Sequence, residues 1–144
     1  MSKVNNADTC FKKGFSCSQA MLSTFAQEFD LDREMALRVA GAFGGGMGRM
    51  GKTCGAVTGA FMVIGLKYGN TRAEDSETKE KAYRLVNEFT KRFEARNKTI
   101  ECRKLLGYDI STPEGYKLIY EKGITKDLCP GFVKDAAEIL EEIL

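Results

Sequence analysis

The sequence contains no histidine. That absence removes the usual base of Ser/His and Cys/His catalysis and the usual nitrogen ligand of zinc, so any chemistry must rest on thiols and carboxylates. No segment alternates apolar and polar residues as a half-buried strand does, no repeat recurs, and no low-complexity linker divides the chain. The longest apolar run, Ala60 to Leu66, is too short to span a bilayer, and the opening MSKVNNADTC lacks the apolar stretch of a signal peptide. A soluble cytoplasmic protein without membrane insertion is the expectation. Charge of one sign is lacking too: 22 basic and 20 acidic residues leave a net +2, with no long block of either, and nothing points to nucleic acid or an anionic surface as partner.

What is present is a chain of 144 residues, 43% of them hydrophobic, enough to bury one core and too little for two, so one domain over 1–144 is expected. There are five cysteines. In a reducing compartment, and as an odd number, they do not read as permanent staples, which leaves redox work or metal binding against plain burial.

Helical spacing runs nearly throughout and predicts an all-α bundle of seven to eight helices with a central apolar helix and a glycine-rich corner. The first helix spans about Lys3 to Lys13. The second opens on a capping box of Ser16 and Gln19 and reaches about Phe29, and the third covers Asp32 to Phe43. A fourth, starting at Thr53 or Cys54 with Thr53 as cap, carries FMVIGLKY to Gly69 and is apolar on most sides, hence buried. Thr71 and Glu74 read as a second capping box before the longest helix, whose Ala82, Leu85, Val86, Phe89 and Phe93 share one stripe. A turn of helix at Cys102 to Leu106, a helix from Thr112 and Pro113 to Gly123, and a last one opening at Pro130 complete the chain. Stretches 109–113 and 123–128 read as short connections.

Between the third and fourth helices lies GGGMGRMGKTCGAVTG. Gly46 to Thr53 matches the phosphate-loop pattern GxxxxGK[ST], and Gly46 to Gly51 matches GxGxxG. Both patterns work only where a strand delivers the chain into the turn, and LDREMALRVAGAF before the glycines is helical in spacing. The nucleotide reading is therefore set aside. Glycines that let two helices meet at a tight corner account for much of the loop but not for Cys54, which falls at a helix start with Arg49 and Lys52 nearby in sequence, where amide dipoles and cations both favour a thiolate.

Cys17 follows the cap Ser16, Cys102 lies three residues after Thr99, and Cys129 precedes Pro130. Four cysteines thus fall at inferred helix N-termini, separated by 37, 48 and 27 residues with no CxxC pair, unlike a zinc ribbon or a thioredoxin-type site. Cys10 reads as packing inside the first helix.

The combination GFSCSQAML, FGGGMGRMGKTCGAVTGAFMVIGLKYG, ECRKLLG and DLC resembles the family of redox-active proteins named for four cysteines and a CGAxxG motif. The likeness runs from about Gly14 to the final helix. It implies that Cys17, Cys54, Cys102 and Cys129 are the family's four cysteines, with Cys10 outside the pattern, in a small soluble protein often associated with oxidoreductase or transporter genes.

Three readings follow. In the first, Cys54 is an attacking thiolate activated by its helix end and by Arg49 and Lys52, another of the four cysteines resolves the mixed disulfide, and the partner is a redox protein or a small disulfide. In the second, Cys17, Cys54, Cys102 and Cys129 hold an iron-sulfur cluster or zinc, with Gly45, Gly46, Gly48, Gly55 and Lys52 around it as cofactor-binding residues. In the third, the cysteines merely pack. A homodimer would suit a small apolar-rich helical domain.

Overall fold

The Ser16 hydroxyl accepts the Gln19 amide, and the Gln19 side chain accepts the Ser16 amide in return, the reciprocal cap that the sequence predicts. It opens α2 (Cys17–Ala26), which follows α1 (Lys3–Lys12) and is extended by a 3-10 turn at Gln27–Phe29. After these come α3 (Arg33–Ala40), α4 (Gly55–Tyr68), α5 (Ser76–Asn97), α6 (Cys102–Leu106), α7 (Pro113–Glu121) and α8 (Ile124–Ile143). The structure, a computed structural model, describes residues 2–144. Among them the one β pairing is an isolated bridge between Thr53 and Glu101, so the fold is all-α, as its spacing predicts.

The apolar α4 is the centre: Val57, Ala60, Val63 and Ile64 expose nothing. α2 packs most extensively on it, α5 and α8 cover other sides, and α1 lies on α8. Phe61, Phe89, Phe93 and Phe132 form a continuous aromatic row through this core, each pair of neighbouring rings 5.9 to 6.4 Å apart between centroids. Each fully buried side chain of that size contributes about 1.5–3 kcal/mol of transfer free energy. A smaller cluster of Leu106, Ile110 and Ile119 with Cys102 and Cys129 sits beside the main one, and Cys17 packs against both.

Two glycines set how closely α2 approaches α4. A Cβ at Gly59 would lie 2.7 Å from the Met21 Cβ and 3.0 Å from the Ser18 carbonyl oxygen, and one at Gly55 would lie 2.9 Å from the Ser18 amide nitrogen. Glycine inside a helix costs about 1 kcal/mol relative to alanine, and here the close backbone approach explains its presence.

Several boundaries differ from expectation. Cys54, not Thr53, is the N-cap of α4, because Thr53 is held extended in its bridge to Glu101. The Thr71 and Glu74 box does not form: Asp75 caps α5 by accepting the Thr78 amide, and Glu74 instead pairs with Arg72. α3 stops at Ala40, and its end is tied to α2 by Ser18 and Gln19 donating to the carbonyls of Ala40 and Leu37. The largest difference concerns Pro130, which lies inside α8 instead of opening it. Gly123, in the left-handed conformation at φ 63°, caps a helix that starts earlier, and residues 124–128 are helix rather than connection. Interior proline costs roughly 3 kcal/mol and leaves the carbonyl one turn back, that of Lys126, without its helical donor. Buried Cys129, Val133, Ala136, Ala137 and Leu140 carry the helix through it.

A cysteine-lined cleft as the candidate functional site

Cys54 and Cys102 are far apart in sequence and are brought together by a very short pairing. The Cys54 amide donates to the Ile100 carbonyl at 2.8 Å and the Cys102 amide to the Lys52 carbonyl at 2.6 Å, flanking the Thr53 bridge to Glu101. Two helices then depart from the ends of this bridge, each with its cysteine at the start. Arg103, which the sequence reading did not single out, locks the arrangement by donating to the carbonyls of Gly51 and Met50 at 3.2 and 3.1 Å while its guanidinium lies 3.6 Å from Asp109. Three paired residues are too few for an alternating pattern, so no periodicity could reveal the bridge.

The glycine loop forms the facing wall. Residues 45 to 49 all have positive φ, between 57° and 68°, including the non-glycines Met47 and Arg49. Those two store strain of order 1–3 kcal/mol each. The amides of Met47, Arg49, Gly51 and Lys52 bond to carbonyls of the same loop region, while the N–H groups of Gly45, Gly46 and Gly48 make no hydrogen bond within the described chain. Gly46 is pressed so hard against α6 that a Cβ there would lie 2.6 Å from the Cβ of Cys102.

Between the loop, the start of α2, α6 and the first turns of α8 opens a cleft of about 860 Å³ whose walls include Cys17, Cys54, Cys102 and Cys129, together with Gly45, Gly46, Gly48, Gly55, Arg49 and Lys126. Aromatic and aliphatic surface from Phe15, Leu105 and Phe132 completes it. The four sulfur-bearing residues come from four different helices, and three of them stand at helix starts. Cys129 does not: it belongs to the second turn of α8, because that helix begins at Ile124. Cys10 lies elsewhere, buried in the main core with its sulfur 3.6 Å from the Ser23 hydroxyl. Lys52 is not part of the wall; it sits with Glu101 and Arg103 on the outer side of the bridge.

The thiols are electrostatically unequal. Cys54 is lowered from its ordinary value, first by the Cys17 thiol acting as a donor toward its sulfur and then by the amides of Ala56 and Val57, against the opposing effect of burial. The neutral Cys54 side chain makes no capping hydrogen bond, so this benefit belongs to the anion. Cys17 is raised, by its contacts with Cys129 and Cys54 and by burial. Burial, followed by the neighbouring Cys54 and Cys129, pushes Cys102 up to about 12. The cations expected to activate Cys54 do not: Arg49 stacks its guanidinium 4.9 Å from the Tyr116 ring centroid, and Lys52 acts on Asp109. Helix amides and a neighbouring thiol take their place.

The raised Cys102 has a stability consequence. An acid whose value rises on folding keeps its proton in the folded state while the unfolded chain loses it, so stability is complete below pH 9.0 and falls as pH climbs toward about 12. Urea midpoints measured between pH 8 and 11 should decline with pH, and Cys102→Ser should flatten that decline by up to about 1 kcal/mol per pH unit. An unchanged slope in the variant would remove the assignment.

Among the described residues, no three His, Cys, Asp or Glu side chains are gathered as a metal ion requires. The four cysteines expected as ligands, Cys17, Cys54, Cys102 and Cys129, all line this one cavity. A family described as "Putative redox-active protein (C_GCAxxG_C_C)" matches residues 15–143. The chain belongs to this family. Its name writes the central motif with glycine before cysteine, whereas this chain has Cys54 before Gly55 and Ala56. The match leaves out α1 with Cys10 and takes in all four cysteines of the cleft. No curated protein and no solved structure matches the chain. Among the described residues no helix is long and apolar enough to cross a membrane.

Proposed function

We propose that this family member performs thiol–disulfide exchange in the cleft, with Cys54 as attacking thiolate and Cys17 as resolving thiol. The observation that carries the reading is the placement of Cys54, the N-cap of α4, and Cys17, the first residue of α2, on the wall of one cleft. Cys54 is shifted toward its anion, chiefly by Cys17, which also faces Cys129. The Cys54 thiolate attacks one sulfur of a disulfide, forming a mixed disulfide and releasing the other half as a thiolate. Cys17 then gives up its proton, which that thiolate can take, and attacks the Cys54 sulfur. A Cys17–Cys54 disulfide forms and the second half leaves as a thiolate, so that one thiol and one thiolate are released in all. Two electrons pass from the protein to the disulfide, and a dithiol reductant reverses the change. Cys129, on the other side of Cys17, can accept the bond next by attacking the Cys17 sulfur and freeing Cys54.

Cys17→Ser separates the two steps. Reduced variant mixed with excess bis(2-hydroxyethyl) disulfide should hold a stable adduct of one mercaptoethanol unit on Cys54, found by peptide mass, where the native chain ends as an internal disulfide. An adduct on Cys102 or Cys129, or none, would refute the assignment. An iron-sulfur or zinc centre on Cys17, Cys54, Cys102 and Cys129 is the second reading, since all four line the same cleft. Metal and sulfide analysis after anaerobic purification tests it, and stoichiometric metal lost with any one cysteine would replace the exchange reading.

A further inference from the structure

Resting on the thiol chemistry of the preceding section, we infer the substrate class: the cleft takes small disulfides that carry negative charge and disfavours those that carry positive charge. Size comes first. Cys54, Cys102 and Cys129 expose only 5%, 7% and 8% of their surface and lie on the walls of a cleft of about 860 Å³, the scale of small-molecule sites. A disulfide must enter to meet them, which a slender molecule does and a disulfide fixed on a folded surface does not.

Charge decides the rest. The chain as a whole is nearly balanced, yet the walls hold three cations, Lys12, Arg49 and Lys126, and no carboxylate. Lys12 is committed to Asp8 at 2.8 Å. Arg49 and Lys126 pair with no carboxylate among the described residues, so against one Cys54 thiolate the cleft keeps a positive surplus. Both are also held where structure alone would not put them. Arg49 sits at φ 64°, a conformation unfavourable to any side chain, with its guanidinium laid on Tyr116. Lys126 occupies the first turn of α8, where the helix dipole opposes a cation and favours an anion. The unpartnered amides of Gly45, Gly46 and Gly48 add donors on the same wall. A carboxylate-bearing disulfide would place its anionic ends on these groups and its sulfurs against Cys54. Low-dielectric walls focus such a field, and salt weakens it at the mouth.

The experiment uses three disulfides of similar length: 3,3′-dithiodipropionate, with two negative charges, bis(2-hydroxyethyl) disulfide, with none, and cystamine, with two positive. Single-turnover rates with the reduced protein are divided by those with free 2-mercaptoethanol to cancel intrinsic reactivity. The normalised rate should fall in that order, by about tenfold per step at low salt. In Arg49→Gln/Lys126→Gln the ratio of dianion to neutral should collapse toward one, while Arg49→Lys/Lys126→Arg, which keeps both charges, should retain it. Cystamine reacting as fast as the dianion, or a ratio unmoved in the double Gln variant, overturns the inference. Binding of suberate, a sulfur-free isostere of the dianion, is followed by calorimetry beside 1,6-diaminohexane. If no disulfide reacts, preference for suberate that disappears in the double Gln variant upholds charge selection while the exchange reading fails; equal binding of the two overturns it.

Discussion

Replacing Cys54 with serine should slow the opening of a small disulfide by the reduced protein at least about a hundredfold and leave the fold standing. The chemical loss follows because a hydroxyl does not ionise near neutral pH, whereas the surroundings of the Cys54 sulfur push it toward the anion. The fold survives for an equally local reason. Cys54 is the N-cap of α4, with Ala56 and Val57 at the second and third helical positions offering their amides. Serine is among the best residues for that place, and its oxygen can accept what the neutral thiol does not. Rate and stability therefore part company, and measuring both distinguishes a nucleophile from a packing residue. Stopped-flow thiol release gives the rate and thermal melts the stability. Cys10→Ser is the control, since Cys10 lies in the main core outside the cleft. If Cys54→Ser reacts at the native rate, or Cys10→Ser is equally slow, Cys54 is not the nucleophile.

Which parts of this could be read from the sequence depends on how far each signal reaches along the chain. The cap at Ser16, the Thr112–Pro113 start and the Phe89 to Phe93 stripe are local, governed by residues three or four apart, and the structure has them. Cys54 at a helix start is legible in the same local way, from its place just after the glycine loop. Pro130 misled because its preference for a first turn is weaker than the packing of Cys129 and Val133, a tertiary effect without a local mark. The pairing of 52–54 with 100–102 and the Arg103 lock upon it were illegible for the same reason, as was the direction in which Lys52 and Arg49 point. Sequence proximity placed both cations beside Cys54. Backbone geometry sends one to the outer face and the other onto Tyr116, and the charge that matters to the cleft includes Lys126, more than seventy residues downstream of Cys54.

Gly59→Leu should destabilise the protein by about 3 kcal/mol or prevent folding, the largest stability effect expected of a single substitution on α4. Two forces oppose each other. Removing a helix-interior glycine gains about 1 kcal/mol of helix propensity, and the new side chain must find room. There is none: its Cβ alone would stand 2.7 Å from the Cβ of Met21 and 3.0 Å from the Ser18 carbonyl oxygen, the latter a backbone atom of α2 that cannot swing aside. The two helices must separate, and α2 carries Cys17 at its start while α4 carries Cys54 at its own. Gly59→Ala adds only the Cβ and should fold, with a loss of about 1–2 kcal/mol and slower resolution of the mixed disulfide. Gly65 supplies the comparison. It lies on the same helix with nothing within 4 Å of its would-be Cβ, so Gly65→Ala should gain up to about 1 kcal/mol. Urea denaturation of the two alanine variants reads the contrast directly. The same substitution, six residues apart on one helix, should change sign because one glycine marks where two cysteine-bearing helices touch and the other faces open space. Equal shifts at 59 and 65, or a neutral Gly59→Leu, would mean that the contact between α2 and α4 does not hold Cys17 and Cys54 together.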